Sequence, residues 1–239
     1  MREVLRENLA RVIGKIELAA QKAMRDASEI KLIAVSKTHP SDIIKEAIAA
    51  SAKVFGENKV QEAEGKIAEI GRENAEWHLI GHLQSNKARK AAQLFDVIHT
   101  LDSVELAARL ERISIEENRE SLDILIQVDL AGEATKSGIL ENDLPELIEF
   151  LKNCERIKLK GFMILPPFFD DAEKARPFFK RLREIRDEFL PGGELSMGMS
   201  HDFAIAIEEG ATMVRVGTAI FGERNYDRSD SRFNRSFAK

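Results

Sequence analysis

Lys37 is the side chain in this sequence best placed for covalent chemistry. It directly follows residues 32–36, an apolar run rich in β-branched residues that predicts a buried strand. Residues 38–40 then predict a turn, and Pro40 suits the start of a helix. An amine at the end of a buried strand is partly desolvated, which favours the neutral form that reacts with carbonyl compounds as a Schiff base. The alternative is an exposed lysine that keeps its charge in water.

Two later loops carry hydroxyl groups and glycine in a pattern that suits a phosphate group. Ser200 follows the strand-like run at 194–197, and Gly217 and Thr218 follow the run at 212–216. Parallel barrels commonly bind phosphate in the loops after their seventh and eighth strands, close to a helix N-terminus. The glycine lets backbone amides approach a ligand closely. In the alternative, Ser200 or Asp202 only caps a helix and Gly217 only turns the chain.

Arg215 is a charged residue inside a strand-like run. It alternates with Val214 and Val216, so its side chain points opposite to both. A charge inside a barrel needs an acceptor, which could be the carboxylate of Glu57 or Asp129, or a ring nitrogen of a ligand. A reactive lysine, a phosphate site and this arginine together indicate a pyridoxal 5′-phosphate site.

Strand-like runs alternate with helical stretches along the whole chain. The strands are predicted at residues 32–36, 53–55, 77–80, 97–99, 124–129, 158–163, 194–197 and 212–216, and the helices at residues 41–50, 59–73, 87–94, 103–118, 142–153, 171–190 and 202–209. Eight such units in 239 residues predict an α/β fold, a single-domain (β/α)8 TIM-type barrel. The alternative is an open doubly wound sheet, which often has a glycine-rich turn after its first strand; the turn after residue 36 contains no glycine.

The barrel is expected to carry one extra helix before its first strand. Residues 1–26 are predicted to form an amphipathic N-terminal helix that packs on the barrel, because Leu5, Leu9, Val12 and Ile16 share a helical face. The barrel is assigned to residues 27–224. Residues 225–239 are polar and are expected to form a C-terminal tail.

Composition excludes several classes of protein. With 44% hydrophobic and 32% charged residues, the chain is typical of a soluble protein with a sizeable core. The net charge of −5 argues against general binding to nucleic acid or anionic membranes. Neither a signal peptide nor an uncharged apolar run of about 18 residues is apparent, so a cytoplasmic location is expected. Cys154 is the single cysteine, and the five histidines suggest no metal site.

Six ordered sequence blocks resemble one family, the pyridoxal 5′-phosphate homeostasis proteins. The blocks are AVSK at 34–37, FGEN at 55–58 with QE at 61–62, WHLIGHLQSNK at 77–87, AGE at 131–133 with KSG at 136–138, LSMGMS at 195–200, and VRVGTAIFG at 214–222. The resemblance covers nearly the whole chain. It implies the barrel fold of the N-terminal domain of alanine racemase.

The resemblance also implies roles for individual residues. Lys37 would hold the cofactor as a covalent internal aldimine, and Asn58 would lie near the ring. Arg215 would face the pyridine nitrogen. Ser200, Gly217 and Thr218 would hold the phosphate.

Other residues near the predicted pocket stay less defined. His82 and Met199 are further candidates for cofactor contact, and a structural hydrogen bond is the alternative for His82. Ile164 stands where the family often has threonine, so no polar role is assigned there. Phe168 and Phe169, in the 166–169 loop, are expected to cover the rim, with stacking on the cofactor ring as the alternative, and His201 is unassigned.

Two functions are compatible with this resemblance. A carrier would bind pyridoxal phosphate for intracellular homeostasis without dedicated turnover and without catalytic residues, and apo-enzymes that need the cofactor would be candidate partners. An amino-acid racemase on the same barrel is the alternative, but it needs a proton donor on each face of Cα. In racemases of this type a second domain supplies a tyrosine, whereas the single tyrosine here, Tyr226, lies in the polar tail. The carrier is therefore favoured, as a monomer or weak dimer.

Overall fold

The computed structural model, which describes residues 2–132 and 137–222, contains a closed parallel barrel. Its strands are β1 (Lys31–Val35), β2 (Val54–Glu57), β3 (Glu76–Leu79), β4 (Val97–Leu101), β5 (Leu122–Asp129), β6 (Ile139–Leu140), β7 (Ile157–Met163), β8 (Glu194–Met199) and β9 (Met213–Val216). Neighbouring strands follow the order β4-β3-β2-β1-β9-β8-β7-β5, and the pairing of β4 with β5 closes the ring. The predicted (β/α)8 TIM-type barrel is thus confirmed.

Helices surround the ring of strands. They are α1 (Arg2–Lys22), α2 (Ser41–Ala49), α3 (Val60–Ile70), α4 (Ala88–Leu94), α5 (Val104–Glu116), α6 (Leu144–Lys152), α7 (Arg176–Phe189), α8 (Phe203–Glu208) and α9 (Thr218–Phe221). Local signals explain several ends. Ser103 caps α5 by accepting a hydrogen bond from the Leu106 amide, and Gly71 ends α3 with a positive φ of 88°.

Several short elements differ from the predictions made from sequence, among them the following three. The two-residue strand β6 is a ninth strand that pairs with the end of β5. The four-residue helix α9 follows β9. The predicted helix at 171–190 begins as a 3₁₀ turn, Ala172–Ala175, before α7. Each is too short to show a hydrophobic period of its own, which is why pattern analysis missed it.

The N-terminal helix packs on the outside of the barrel, as its apolar face predicts. Leu5, Leu9, Val12 and Ile16 are all buried. Polar contacts also hold it: the Asn8 amide donates to the Ile220 carbonyl at 2.9 Å, and Arg25, just beyond α1, donates to the Ile207 carbonyl of α8 and to the Ala211 carbonyl before β9. These contacts anchor the helix to the last βα units of the barrel.

The core is divided by the strands into two parts. Alternate residues face the helices outside, and a separate apolar cluster lies within the ring. That inner cluster contains Ile33, Val54, Val97, Leu125, Met163 and Met213, from six different strands. Because side chains alternate along a strand, residues two positions further on face the interior too.

Several features named above lie outside the described residues. They are the predicted tail at 225–239, Tyr226, and the block positions Glu133 and Lys136. The assigned domain limits therefore remain a prediction. Of the helices in the described ranges, none has the length and apolar character that a bilayer crossing requires.

Candidate functional site

Lys37 lies two residues beyond the end of β1, at the carboxyl end of the barrel. Its side chain is half-buried, between the buried Ser36 and the exposed Thr38. Val35 of β1 pairs with Gly56 of β2. Lys37 lies two residues after Val35, and Asn58 lies two residues after Gly56. The structure thus brings these two predicted residues to adjacent strand ends.

A cluster of one serine and three charged residues on the outer side of the barrel anchors the segment around Lys37. This outer cluster comprises Ser36, Glu57, Glu62 and Lys66. The Lys66 amine donates to Glu57 Oε1 at 2.7 Å, to the Ser36 carbonyl at 2.8 Å and to Glu62 Oε1 at 2.6 Å. The Ser36 hydroxyl also donates to Glu57 Oε1, at 2.6 Å. Ser36, immediately before Lys37, is therefore held through both its backbone carbonyl and its side-chain hydroxyl.

Ser36, Glu57 and Lys66 of the outer cluster are buried, so their interactions are strong and sensitive to loss. Glu57 is fully buried, and burial raises the pKa of its carboxyl against the opposing effect of Lys66. The cluster also reaches past Lys37, since the Thr38 amide donates to Glu62. Thr38 has a φ of 69°, which a β-branched residue rarely adopts. The turn just after Lys37 is therefore strained.

Arg215 faces the barrel interior, as its alternation with two valines predicts. It is two residues beyond Met213 of the inner cluster and is only 3% exposed. Its guanidinium donates to the Ser196 hydroxyl at 2.6 Å and to the Ile164 carbonyl at 2.8 Å. Burial lowers the pKa of Arg215 to about 10, so the side chain keeps its charge near neutral pH.

The predicted carboxylate partners of Arg215 are wrong. Glu57 faces the outside of the barrel, where it binds Lys66 and Ser36. Asp129 accepts hydrogen bonds from the amides of Ala131 and Gly132 at its own strand end. A backbone carbonyl and a hydroxyl satisfy Arg215 instead. Ile164 thus takes part through its main chain, although its side chain is apolar.

The two predicted phosphate loops lie side by side. The Gly217 amide donates to the Ser200 hydroxyl at 3.3 Å, which joins the loop after β8 to the loop after β9. Thr218 beside them is exposed, and Met199 is half-buried opposite Arg215 in the β8–β9 ladder. Asp202 makes no cap to α8, because its carboxylate accepts from the Met199 amide at 2.6 Å. The capping alternative is therefore wrong for Asp202.

Close backbone packing places Asn58 beside the loop after β3. A Cβ on Gly81 would stand 2.3 Å from the Asn58 carbonyl oxygen and 2.7 Å from its Cα. Only glycine fits this approach. The loop after β3 thereby supports the position of Asn58 next to Lys37.

His82 lies at the rim of the barrel mouth. Its Nδ1 is 2.9 Å from the Ser137 hydroxyl and 3.6 Å from the carboxylate of Asp102, whose pKa is raised by burial. The histidine side chain is 54% exposed. A hydrogen bond therefore accounts for His82 in this structure, and its contact with a cofactor stays a prediction.

The 166–169 loop touches the loop after β8. Phe168 is 76% exposed and its ring lies 5.7 Å from that of His201, while Phe169 packs against Phe178 of α7. His201 Nε2 also lies 3.2 Å from the Asp170 carbonyl oxygen. These contacts tie two rim loops together, which gives the unassigned His201 a structural partner.

Sequence reasoning missed three polar residues inside the barrel. His78, His99 and Ser196 are fully buried and lie in hydrogen-bonded contact with one another or with Arg215. The signal was available, because His78 stands between Trp77 and Leu79 with the same alternation that located Arg215. In the part of the chain that the structure describes these histidines belong to no metal site, and they form hydrogen bonds instead.

The described residues fit a pyridoxal phosphate in chemical type and arrangement. A half-buried amine, a buried guanidinium and two joined hydroxyl–glycine loops all stand at the carboxyl ends of β1, β8 and β9, which are neighbours in the sheet. Bound there, the cofactor would supply a carbonyl for the amine and an electron-withdrawing ring. The protein would supply a positive charge in the interior and amide donors at the rim.

The chain resembles known proteins over nearly its full length. Residues 8–225 match the family model of the alanine racemase N-terminal domain. Pyridoxal phosphate homeostasis proteins of Aquifex aeolicus and Pseudomonas aeruginosa are 42% and 44% identical to it, each over 92% of this chain. The matches cover 98% and 96% of those two proteins.

Solved structures give the same result. PipY of Synechococcus elongatus, determined with PLP bound, matches at a TM-score of 0.79 and 40% identity, covering 91% of this chain and all of that one. An alanine racemase of Clostridium difficile is 19% identical at a TM-score of 0.68, and the match covers 94% of this chain and 58% of the racemase. The likeness to the racemase shows a common fold.

Proposed function

The chain belongs to the pyridoxal phosphate homeostasis protein family, and we propose that it binds pyridoxal 5′-phosphate covalently through Lys37 and serves as a cytoplasmic carrier of that cofactor. The observation that carries this proposal is the convergence of Lys37, Arg215 and the Ser200–Gly217 contact at one end of the barrel. Relatives at about 40% identity carry the homeostasis name, and one was solved with PLP bound.

Each predicted residue has a defined task in this proposal. Lys37 forms the covalent link, and Asn58 lies beside it at the end of β2. Arg215 donates a hydrogen bond to the ring nitrogen. Ser200, Gly217 and Thr218 bind the phosphate, with His82 and Met199 as further candidates at the rim.

The proposal includes the absence of efficient amino-acid turnover. A guanidinium at the ring nitrogen keeps that nitrogen unprotonated, because Arg215 retains its own proton at neutral pH. An unprotonated ring is a weaker electron sink for a carbanion. Racemisation needs in addition a proton donor on each face of Cα. Apo-enzymes that require the cofactor are the proposed recipients, and the carrier is proposed to act as a monomer or weak dimer.

Borohydride reduction followed by peptide mapping tests the covalent link. The protein loaded with pyridoxal phosphate should absorb visible light, and reduction should fix the cofactor to Lys37. Lys37→Ala should lose the label, whereas Lys53→Ala, an exposed lysine before β2, should keep it. Recovery of the label on another lysine of the loaded protein would place the site elsewhere.

Hydrogen–deuterium exchange at Cα of D- and L-amino acids decides between carrier and racemase. The carrier should show slow exchange and measurable transfer of the cofactor to an apo-enzyme. Racemisation at about 1–1000 turnovers per second, the usual range for enzymes, would overturn the carrier in favour of the racemase.

A further inference from the structure

An unbroken chain of hydrogen bonds runs through the barrel from Arg215 to the opposite face. This interior chain consists of Arg215, Ser196, His99, His78 and Glu76. The Ser196 hydroxyl lies 2.6 Å from Arg215 Nη1 and 2.9 Å from His99 Nδ1. His99 Nε2 lies 2.7 Å from His78 Nδ1, and His78 Nε2 lies 2.7 Å from Glu76 Oε1. Four contacts thus connect the carboxyl-end arginine to the first residue of β3.

The chemistry of the two ends determines the direction of every donor. Burial lowers the pKa of His78 and of His99, so both rings are neutral and each has one donor and one acceptor. Glu76 accepts, because hydrogen bonds from His78 and from Lys31, at 2.8 Å, hold the pKa of its carboxyl at about 2, and an ionised carboxylate has no proton to donate. His78 must therefore carry its proton on Nε2 and accept at Nδ1.

The same logic continues from His78 toward the arginine. His99 donates from Nε2 to His78, so its Nδ1 accepts from the Ser196 hydroxyl. Ser196 in turn accepts from Arg215, which can only donate. Each group along the chain has its donor pointing toward Glu76, and no hydroxyl or ring proton conflicts with another. Aligned chains of this kind polarise one another and strengthen each bond.

The interior chain joins a buried cation to a carboxylate at the barrel's far end. Glu76 is 36% exposed, and it also accepts from Lys31 at 2.8 Å. Lys31 and Asp96 are the other charged groups that act on His78, while Lys31, Arg215 and His78 act on His99. Within the described residues Arg215 donates no hydrogen bond to a carboxylate, but the nearby Asp202 acts on it through space and favours its charged form.

We propose that Ser196, His99 and His78 are positioning residues that fix the Arg215 guanidinium and transmit the negative charge of Glu76 to it. The consequence for a ligand is a hydrogen-bond donor that is fixed in orientation and keeps its proton, so that it favours an unprotonated ring nitrogen, while the charge of Glu76 offsets part of its positive charge. This inference rests on the proposed function for the identity of the ligand. The direction of the chain is independent of it.

Nuclear magnetic resonance of the protein without cofactor tests the direction of the chain. With ¹⁵N-labelled histidine, His78 and His99 should both show a protonated Nε2 and an unprotonated Nδ1 near neutral pH. Ser196→Ala should change the His99 Nδ1 signal most, because that nitrogen loses its donor. A proton on His99 Nδ1 in the wild-type protein would overturn the proposed direction.

A matched pair of charge-neutral variants tests transmission to the site. Glu76→Gln keeps an oxygen that can accept from His78 but removes the charge. Glu73→Gln removes a charge from the same surface groove, outside the interior chain. In the protein loaded with pyridoxal phosphate, Glu76→Gln should lower the pH midpoint of the visible absorbance by roughly 0.5 pH unit, as expected for loss of one negative charge across a protein interior. Glu73→Gln should leave it unchanged.

The double variant separates transmission through the chain from a direct field effect. In a Ser196→Ala background, Glu76→Gln should cause little further shift, because the link is already broken. If Glu76→Gln and Glu73→Gln shifted the pH midpoint equally, the proposed transmission through the interior chain would be wrong. This comparison needs no Ser196 variant, so it remains decisive if Ser196→Ala fails to fold. A wild-type protein that forms no adduct on Lys37 would instead reject the proposed function, and the histidine spectra would still test the chain.

Discussion

Replacing Lys66 with methionine removes the donor at the centre of the outer cluster. The two side chains have similar length, so the apolar stem is kept while three hydrogen bonds to Glu57, Glu62 and the Ser36 carbonyl are lost. The Lys66 side chain is 8% exposed and that of Glu57 is fully buried. The change therefore leaves a buried carboxylate whose remaining contact is the Ser36 hydroxyl.

The expected loss of stability is large because one partner of a buried ion pair is left behind. Such changes lower the free energy of unfolding by about 3–5 kcal/mol. In a domain of this size each kcal/mol shifts the melting temperature by about 2–4 °C, so a fall of roughly 6–20 °C is expected. Urea titration and thermal melting at pH 8 measure both quantities.

The loss of stability caused by Lys66→Met should be larger at high pH than at low pH. Burial raises the pKa of Glu57 even beside Lys66, and loss of the ammonium group raises it further. A carboxyl whose pKa is higher in the folded state binds a proton more tightly there, so folding becomes more favourable as pH falls through that value. The stability difference between wild type and Lys66→Met should therefore shrink from pH 8 to pH 5. Adding Glu57→Gln should abolish this pH dependence.

An exposed pair provides the matched control. Lys90→Met breaks the contact with Glu64, which has a similar separation of 2.9 Å but half-exposed partners. It should lower the free energy of unfolding by less than about 1 kcal/mol. If Lys66→Met were no more destabilising than Lys90→Met, or if its deficit were the same at every pH, the outer cluster would not be the buried ion pair described here.

Two further predictions concern the loops of the site. Ser200→Ala combined with Thr218→Val should weaken binding of pyridoxal phosphate more than binding of unphosphorylated pyridoxal. The difference should be roughly 1.5–3 kcal/mol for each lost hydrogen bond to the phosphate. Equal losses for the two ligands in parallel titrations would mean that the two hydroxyls only support the fold. Gly81→Ala should displace Asn58 and lower the free energy of unfolding by roughly 1–3 kcal/mol. As a control, Gly65→Ala in α3 should raise the free energy of unfolding by about 0.5–1 kcal/mol, because a Cβ there meets nothing within 4 Å. Melting curves that reverse this order would contradict the packing argument.

The fold was predictable because its strands are short, apolar and regularly spaced. Each of the eight predicted runs coincides with one barrel strand, with ends that differ by a few residues. Buried parallel strands carry this signal strongly, since both of their faces are covered. The strand β6 was not predicted, because it has only two residues. Its pairing with the end of β5 depends on tertiary contacts that the local sequence does not reveal.

The site was only partly predictable. Lys37, Ser200 and Gly217 stand at strand ends, so the topology alone places them at the barrel mouth. The partners of Arg215 could not be predicted, because a charge buried in a barrel needs an acceptor but the sequence does not say which one. The structure supplies a carbonyl, a hydroxyl and a row of histidines rather than the expected carboxylate.

The two ends of the proposed cofactor site are held by networks with different origins. The main chain before Lys37 is fixed from outside the ring by Lys66 of α3, whereas Arg215 is fixed from inside by Ser196 and the two histidines. The strands β1 and β9 lie between these networks as direct neighbours, with Ile33 paired to Arg215. Because the hydrogen bonds of the two networks share no residue, the covalent and electrostatic parts of the site can be altered separately.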